Sequence, residues 1–255
     1  SRVMAAARTR LDKLLVDRGL VPSRDRAQRL ILAGLVYVAG QRVDKPGHNV
    51  PSGAVVEVRG DDIPFVSRGG VKLAGALDAF RIDVRGRVAA DIGASTGGFT
   101  DCLLQRGAAR VYAIDVGYGQ LAWRLRSDPR VVLFERTNIR HFDPHLIPEP
   151  VDLVVIDVSF ISLQLVLPAI VPLLASQATV LPMVKPQFEV GRGQVGKGGV
   201  VRDPGLQSDA VAAIRRAAEA NGLDFVASCE SPLRGPNGNR EFFLHLERPP
   251  APRSA

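Results

Sequence analysis

The segment that decides the fold reads Val88-Ala-Ala-Asp-Ile-Gly-Ala-Ser-Thr-Gly-Gly-Phe-Thr100. Its first five residues are apolar except for Asp91, which predicts a buried strand, because a strand covered on both faces is apolar along its length. The glycines that follow predict a turn whose backbone can approach a ligand closely. A helix is predicted next, over 100–105. A strand, a glycine-rich turn and a helix in this order are typical of a doubly wound α/β sheet.

The chain beyond this segment continues the alternation of strand and helix. Six further strands are predicted over 110–115, 131–135, 151–157, 179–184, 224–228 and 241–246. The segments between them include a proline-interrupted helix over 162–175 and a long amphipathic helix over 204–221. This alternation predicts an α/β domain with a seven-stranded sheet.

The composition is that of a soluble globular protein. The chain has 255 residues, of which 46% are hydrophobic and 23% charged, and this fits one large domain or two smaller ones. Cys102 and Cys229 are too few for a disulfide framework and lack the spacing of metal ligands. The longest apolar stretch, 161–175, is too short and too interrupted to span a bilayer. We therefore expect a cytoplasmic, monomeric protein without a metal site or a membrane segment.

The positive charge is concentrated at the start of the chain. Residues 1–60 carry 11 Lys and Arg against 5 Asp and Glu, which is +6 of the total charge of +7. Two short helices are predicted within 10–34, followed by a hairpin over 35–43 and a strand over 55–58. A small basic unit joined to a nearly neutral body indicates an anion-binding appendage, with nucleic acid as the leading partner. A solvated arginine-rich surface is the alternative.

Three stretches of this unit resemble a known RNA-binding module. They are Arg10-Leu-Asp-Lys-Leu-Leu-Val-Asp-Arg-Gly-Leu20, Ser23-Arg24 and Gly34-Leu-Val-Tyr-Val-Ala-Gly40. Their order is similar to the alpha-L module of a small-subunit ribosomal protein, pseudouridine synthases and tyrosyl-tRNA synthetases. The candidate RNA-binding residues are Arg10, Lys13, Arg24, Arg26, Arg29, Lys45 and Arg68.

Changes in composition predict the domain boundaries. The RNA-binding unit occupies 1–59, with residues 1–8 disordered, and a linker occupies 60–66. The α/β domain follows over 67–247, and a proline-rich tail over 248–255 is expected to be disordered.

The spacing of the glycines in 93–98 indicates which class of cofactor the turn binds. A dinucleotide site would show G-x-G-x-x-G, and a nucleoside triphosphate site would place a lysine after the glycines. This chain has neither; the pattern resembles the first motif of Rossmann-type S-adenosylmethionine-dependent methyltransferases. Asp115, at the end of the next strand, is placed to accept hydrogen bonds from ribose hydroxyls. The candidate cofactor-binding residues are Asp91, Gly93, Ser95, Gly97, Gly98, Phe99, Thr100, Asp115 and Asn138, the last of which is either an adenine contact or a turn residue.

The residues at the ends of the later strands restrict which methyl-transfer reaction the site could catalyse. No Asn/Asp-Pro-Pro-aromatic motif of amine methyltransferases follows the strand over 151–157, and no cysteine nucleophile stands at these strand ends. Asp157 and Lys185 stand there instead. Lysine is scarce, with five among 33 basic residues, so Lys185 marks a position where an always-protonated arginine would not serve.

Several motifs together resemble one family along nearly the whole chain. They are Ser67-Arg-Gly-Gly-Val-Lys-Leu73, the glycine loop, Gly117-Tyr-Gly-Gln-Leu121, 157–162, 185–189 and Gly238-Asn-Arg-Glu-Phe-Phe243. They look like the TlyA family of ribosomal RNA cytidine 2′-O-methyltransferases, some of which carry the name haemolysin. The resemblance implies S-adenosylmethionine as cofactor and ribosomal RNA, 16S and/or 23S, within ribosomal subunits as substrate. It also implies an FtsJ-like catalytic tetrad of Lys72, Asp157, Lys185 and Glu241.

Two other functions and two local features stay open at this point. A non-catalytic RNA-binding or ribosome-assembly factor could keep the same fold, and a haemolysin is the second alternative. The loop over 191–199, with five glycines, is interpreted as a lid that orders on RNA. Tyr118 and Trp123 either stack on a base or pack in the core.

Overall fold

The computed structural model describes residues 7–21, 23–59 and 64–254. The chain divides into two compact units, residues 1–71 and 72–255. The boundary therefore lies a few residues beyond the linker predicted over 60–66. Residues 60–63 lie outside the described residues, while Phe65 and Val66 are buried and the ring of Phe65 packs against Gly70.

The N-terminal unit contains the two predicted helices and the predicted hairpin. Its elements are β1 (Arg8–Arg10), α1 (Leu11–Asp17), α2 (Arg24–Leu32), β2 (Val36–Val38), β3 (Gln41–Arg42), β4 (Asn49–Pro51) and β5 (Val56–Val58). Strand β1 pairs with β4, and β2 lies between β3 and β5. The side chain of Ser23 caps α2 by accepting from the backbone N–H of Arg26. Leu11, Leu15 and Ile31 are fully buried in the small core.

The second unit is a seven-stranded α/β domain, as predicted. Its elements are α3 (Arg68–Phe80), which begins before the boundary, β6 (Val88–Ile92), α4 (Gly98–Gln105), β7 (Arg110–Ile114), α5 (Trp123–Arg126), β8 (Val131–Phe134), β9 (Val151–Ile156), α6 (Leu163–Ile170), β10 (Leu174–Val184), α7 (Pro204–Ala220), β11 (Asp224–Glu230) and β12 (Phe242–Glu247). The sheet order is β11-β12-β10-β9-β6-β7-β8. Strand β12 runs antiparallel to both of its neighbours, and the pairs from β10 to β8 are parallel.

This strand order fixes where a ligand can bind. From β6 the chain builds β7 and β8 on one side, and then returns to place β9 and β10 on the other. The order reverses between β6 and β9, and doubly wound sheets bind ligands outside the carboxyl ends of the strands at such a reversal. The glycine turn after Ile92 and the residues after Ile156 lie at that point.

Three local predictions differ from the structure. Leu174 and Ala175 were assigned to a helix but begin β10, because a proline-containing 3-10 turn over Val171–Leu173 ends α6. Predicted disorder over 1–8 does not hold for Arg8, which pairs with Pro51, and residues 1–6 lie outside the described residues. Predicted disorder over 248–255 does not hold for Arg248, which bonds the carbonyls of Ala178 and Leu174. Helix α3 and strands β1 and β4 were not predicted.

Candidate functional site

The glycine turn after β6 approaches the end of β9 closely. Gly93 has φ +83°, and a Cβ atom there would lie 2.0 Å from the carbonyl oxygen of Asp157. Gly97 caps α4 at φ +100°, and a Cβ atom there would lie 2.4 Å from Leu125 Cδ1. Both positions demand glycine, since a side chain would meet an atom and the left-handed backbone would be strained.

A cleft of about 380 Å³ opens at the carboxyl ends of β6, β7 and β9. Its volume falls within the range of small-molecule sites. Four of the nine predicted cofactor residues line it: Gly93, Ser95, Asp115 and Asn138. It is also lined by Asp157 and Ser159, so the cleft meets the strand end that carries the predicted tetrad.

The carboxylate of Asp115 is held by the backbone of two loops. Its Oδ1 accepts from the N–H of Ser95 at 3.3 Å, and its Oδ2 accepts from the N–H of Gly117 at 3.1 Å. Each carboxylate oxygen has a further lone pair for a ribose hydroxyl. Asn138 is exposed, and its Oδ1 accepts from Arg140 N at 3.0 Å; it serves as a turn residue and can still donate its amide hydrogens to an adenine ring nitrogen.

The other five predicted cofactor residues do not line the cleft. They are Asp91, Gly97, Gly98, Phe99 and Thr100. The ring of Phe99 is 2% exposed and packs 6.0 Å from the ring of Phe243. Thr100 is fully buried and donates to Asp91 Oδ2 at 2.7 Å. These residues lie in or beside the glycine turn without facing the cleft, and we do not include them among the proposed contacts with the cofactor.

Asp91 is a buried carboxyl group beneath the glycine turn. Burial raises its pKa to about 7; the hydrogen bond from Thr100 opposes this rise, and the charges of Asp157 and Asp115 add to it. Its Oδ1 has no hydrogen-bond partner among the described residues. The folded protein therefore holds this group protonated at pH values where the unfolded chain has lost the proton.

This buried acid predicts a pH dependence of stability. Because the folded pKa lies above the unfolded value of 3.8, stability from Asp91 is fully present below about pH 4 and is lost as pH rises to about 7. Its contribution to the free energy of unfolding falls by up to about 4 kcal/mol across that interval. We expect Asp91→Asn to flatten this slope in urea denaturation series.

The control for that prediction is Asp83→Asn, which changes an exposed acid whose pKa Arg85 lowers to about 2. This variant should keep the wild-type slope between pH 4 and pH 7. Equal slopes in the wild type and in Asp91→Asn would show that Asp91 does not titrate in this range.

The predicted tetrad forms two ion pairs. Lys185 Nζ lies 2.5 Å from Asp157 Oδ1 and donates to Ser159 Oγ at 2.9 Å. Lys72 Nζ donates to Glu241 Oε1 at 2.6 Å. The side chains of Lys185, Lys72 and Glu241 are 10%, 12% and 0% exposed. Charges this buried need their partners, because an unpaired charge is costly to remove from water.

The sheet register explains why these side chains meet. Val184 in β10 is paired with Phe242 in β12, so Lys185 and Glu241 are the next residues at the same edge. Asp157 follows β9 at that edge, and its N–H bonds to the carbonyl of Ile92 in β6 at 2.9 Å. Lys72, on α3, joins the group through Glu241.

Three supporting residues were missed from the sequence. Ser159 bonds Lys185, and its place two residues after Asp157 was the available signal. Gly235 leaves room for the carboxylate, since a Cβ atom there would lie 2.3 Å from Glu241 Oε2. Asn239 is 2% exposed and bonds the backbone of Gly199 and Val201, which ties the glycine-rich loop to the segment before Glu241.

The structure bears on two features that the sequence left open, the two aromatic residues and the glycine-rich loop. Tyr118 and Trp123 are 67% and 78% exposed, so core packing is excluded for both. In the loop over 191–199, two short 3-10 turns are formed, and the carbonyls of Gly198 and Gly199 accept from Asn237 and Asn239.

The predicted RNA-binding residues lie on the N-terminal unit, most of them paired with acids. Arg10 and Arg24 contact Asp12, Lys13 contacts Asp17, and Arg29 contacts Asp25. Lys45 is exposed and Arg26 is half-buried. Arg68 is half-buried, with its Cδ against Gly34.

Comparison with known families accounts for both units. Residues 65–248 match the model of the FtsJ-like methyltransferases, and residues 9–56 match the S4 domain. The chain belongs to the FtsJ-like methyltransferase family. Its FtsJ-like part contains the cleft and both ion pairs, and its S4 domain corresponds to the basic unit.

Relatives and solved structures resemble the chain over both parts. It is 54% identical to the 16S/23S rRNA (cytidine-2′-O)-methyltransferase TlyA of Mycobacterium tuberculosis, over 94% of this chain and 90% of that protein. It is 41% identical to hemolysin A of Brachyspira hyodysenteriae, over 93% and 99%. A hemolysin structure from Streptococcus thermophilus superposes with a TM-score of 0.76 at 42% identity, covering 97% and 91%.

S-adenosylmethionine is the cofactor of this FtsJ-like domain, and the cleft fits it. The glycine turn lets a ligand approach the backbone, and Asp115 offers acceptors for ribose hydroxyls. The residues that would hold the cofactor are Gly93, Ser95, Asp115 and Asn138, all of which line the cleft. Within the described parts of the chain, every helix is too short or too polar to cross a membrane.

Proposed function

We propose that this protein transfers a methyl group from S-adenosylmethionine to the 2′-hydroxyl of cytidine in ribosomal RNA. The observation that carries the proposal is the ion pair of the buried Lys185 with Asp157, which lines the cofactor cleft. The identity with a ribosomal RNA (cytidine-2′-O)-methyltransferase over nearly the whole chain supports the substrate class. That relative's name covers both 16S and 23S RNA, so we propose both subunits as substrates.

A ribose 2′-hydroxyl is a poor acid, so the site must stabilise its oxygen while the bond to the methyl carbon forms and the methyl–sulfur bond breaks. The hydroxyl proton is released to solvent, to which the partly exposed side chain of Asp157 is open. The bound cofactor supplies an activated methyl sulfonium. An ammonium group has three N–H donors, and Lys185 directs two of them to Asp157 and Ser159. We infer that the third holds the ribose oxygen and stabilises the charge that develops on it.

The second ion pair completes the charge balance of the site. Glu241 is 1% exposed, so its carboxylate depends on Lys72, and removing either partner leaves the other buried and unpaired. Such a loss costs about 3–5 kcal/mol of stability. We propose that the pair positions the ribose, and variants of it need a stability measurement beside the activity.

We propose that the S4 domain anchors the RNA through its positive charge. Lys13 and Lys45 are exposed and can be changed without disturbing the core. Lys13→Ala/Lys45→Ala is expected to weaken binding to ribosomal RNA about tenfold and to lower the slope of log affinity against log salt by about 1 to 2, because fewer counterions are released. Affinity for S-adenosylmethionine should not change.

Arg85→Ala/Arg215→Ala is the matched control for this variant, since it removes two exposed positive charges from the other unit. Equal losses in the two variants would mean that net charge, and not the S4 domain, sets RNA affinity.

Transfer of tritium-labelled methyl groups to isolated small and large subunits tests the proposed function. We expect label in the RNA of both subunits. Binding to subunits without incorporation would favour an assembly factor, and lysis of erythrocytes without incorporation would favour a haemolysin. Because the proposed substrate lies in ribosomal subunits, we propose that the protein acts in the cytoplasm, as a monomer.

A further inference from the structure

One carboxylate in the S4 domain is surrounded by hydrogen-bond donors. Asp12 is fully buried, and its Oδ1 accepts from Arg10 Nε at 3.1 Å and from Lys13 N at 2.8 Å. Its Oδ2 accepts from an Arg10 terminal nitrogen at 3.0 Å, Arg24 at 3.2 Å and Gln28 at 3.0 Å. Burial raises the pKa of Asp12, but the donated hydrogen bonds outweigh burial and hold it well below its usual range.

The acid sits where three segments meet. Arg10 ends β1, Asp12 lies in the first turn of α1, and Arg24 begins α2. The backbone N–H of Asp12 bonds to Pro46 O at 3.1 Å, in the loop that also contains Lys45. The carboxylate is therefore held in place by backbone and side chain together.

Within the part of the chain that the structure describes, the two arginines keep most of their donors. Arg10 and Arg24 are 50% and 53% exposed at the side chain. A guanidinium has five N–H groups; Arg10 uses two on Asp12 and Arg24 uses one. Two cations bound to the same carboxylate present their remaining donors side by side, and guanidinium groups match phosphate oxygens in geometry.

We propose that Asp12 is a positioning residue for RNA binding: it holds Arg10 and Arg24 as a pair that grips a backbone phosphate. The proposal rests on the proposed function, since it takes RNA as the ligand of the S4 domain. Asp12 itself does not touch the RNA. Its contribution is to fix two long side chains that would otherwise lose conformational freedom on binding.

Charge alone predicts the opposite effect, and this makes the proposal testable. Asp12→Asn removes a negative charge from a basic surface, so simple attraction to phosphate would strengthen RNA binding. If Asp12 positions the arginines, the same change weakens binding. Asp17 supplies a matched control, because it is an exposed acid on the same helix paired with Lys13.

The experiment measures binding of the full chain to protein-free ribosomal RNA across a salt series. We expect Asp12→Asn to weaken binding about tenfold, as for the loss of charge-assisted contacts, and to lower the salt slope by about 1 to 2. Asp17→Asn should bind as well as the wild type or more tightly. Thermal unfolding and S-adenosylmethionine titration of each variant are run alongside.

A second comparison separates positioning from a general effect on the fold. In the Arg10→Ala/Arg24→Ala background, adding Asp12→Asn should cause no further loss of RNA affinity, because the residues that it positions are gone. Unchanged or tighter RNA binding by Asp12→Asn, or a full further loss in that background, would overturn the proposal. If the wild-type protein binds ribosomal RNA but transfers no methyl group to it, the proposed function is contradicted and the role of Asp12 in RNA binding is not.

Discussion

Replacing Lys185 by alanine is expected to lower the single-turnover rate of methyl transfer by about 100- to 10,000-fold, as for other groups that stabilise a reacting oxygen. The loss follows from removing the ammonium that Asp157 and Ser159 hold at the mouth of the cleft. Affinities for RNA and for S-adenosylmethionine should stay near wild type. The measurement uses saturating RNA and cofactor, so that only the chemical step is observed.

Two comparisons sharpen this prediction. Lys185→Arg should recover little activity, because a planar guanidinium cannot replace a compact ammonium in this buried position. The single-turnover rate of Asp157→Ala/Lys185→Ala should be only a little lower than that of the slower of the two single variants, because the effects of residues that act as a unit are not additive. Lys197→Ala, in the exposed glycine-rich loop, is the control for loss of a lysine. Near wild-type turnover in Lys185→Ala would refute the mechanism.

Gly93→Ala is expected to lower the affinity for S-adenosylmethionine by about 100-fold or more. The new Cβ atom would lie 2.0 Å from the carbonyl oxygen of Asp157, and neither backbone can yield without moving the turn or the strand end. Misfits of this kind cost about 1–3 kcal/mol, and the backbone at φ +83° adds strain. Calorimetric titration with the cofactor measures the loss.

Gly86→Ala is the matched control for this substitution. Gly86 has φ +72°, and a Cβ atom there would meet nothing within 4 Å. The Gly86→Ala variant therefore has the strain of a left-handed backbone without a steric clash of the new Cβ atom, and it should bind the cofactor with wild-type affinity. If Gly93→Ala and Gly86→Ala bind equally well, close approach at Gly93 is not what shapes the cleft.

Much of the fold could be read from local patterns. The predicted strands 88–92 and 151–157 are short and mostly apolar, and most of their residues are buried, so their hydrophobicity identified them. The two short helices predicted within 10–34 are formed as α1 and α2. Helix α3 was missed, since the glycines at 69, 70 and 75 weaken the helical signal.

Long-range contacts account for what the sequence could not supply. The three residues at the sheet edge, Asp157, Lys185 and Glu241, were named as a set only through a family resemblance. Their meeting depends on an antiparallel β12 inserted between β10 and β11, which no local pattern indicates. A glycine motif marks the turn but does not tell which side chains face the cleft, and the buried side chain of Phe99 does not line it.

Asp12 shows a further limit of reading the sequence alone. An acid in a basic segment lowers the net positive charge, so an argument from charge alone predicts that Asp12 weakens RNA binding. Its five hydrogen-bond donors come from β1, α1 and α2, and this convergence appears only in three dimensions.

The most direct test of the central claim is the chemical identity of the methylated nucleoside. Isolated subunits are treated with the protein and labelled S-adenosylmethionine, and their RNA is digested to nucleosides and separated by chromatography with mass detection. We predict that the label is found in 2′-O-methylcytidine and that Lys185→Ala produces almost none. Label on a base, on another nucleoside, or absent from the wild-type reaction would contradict the account.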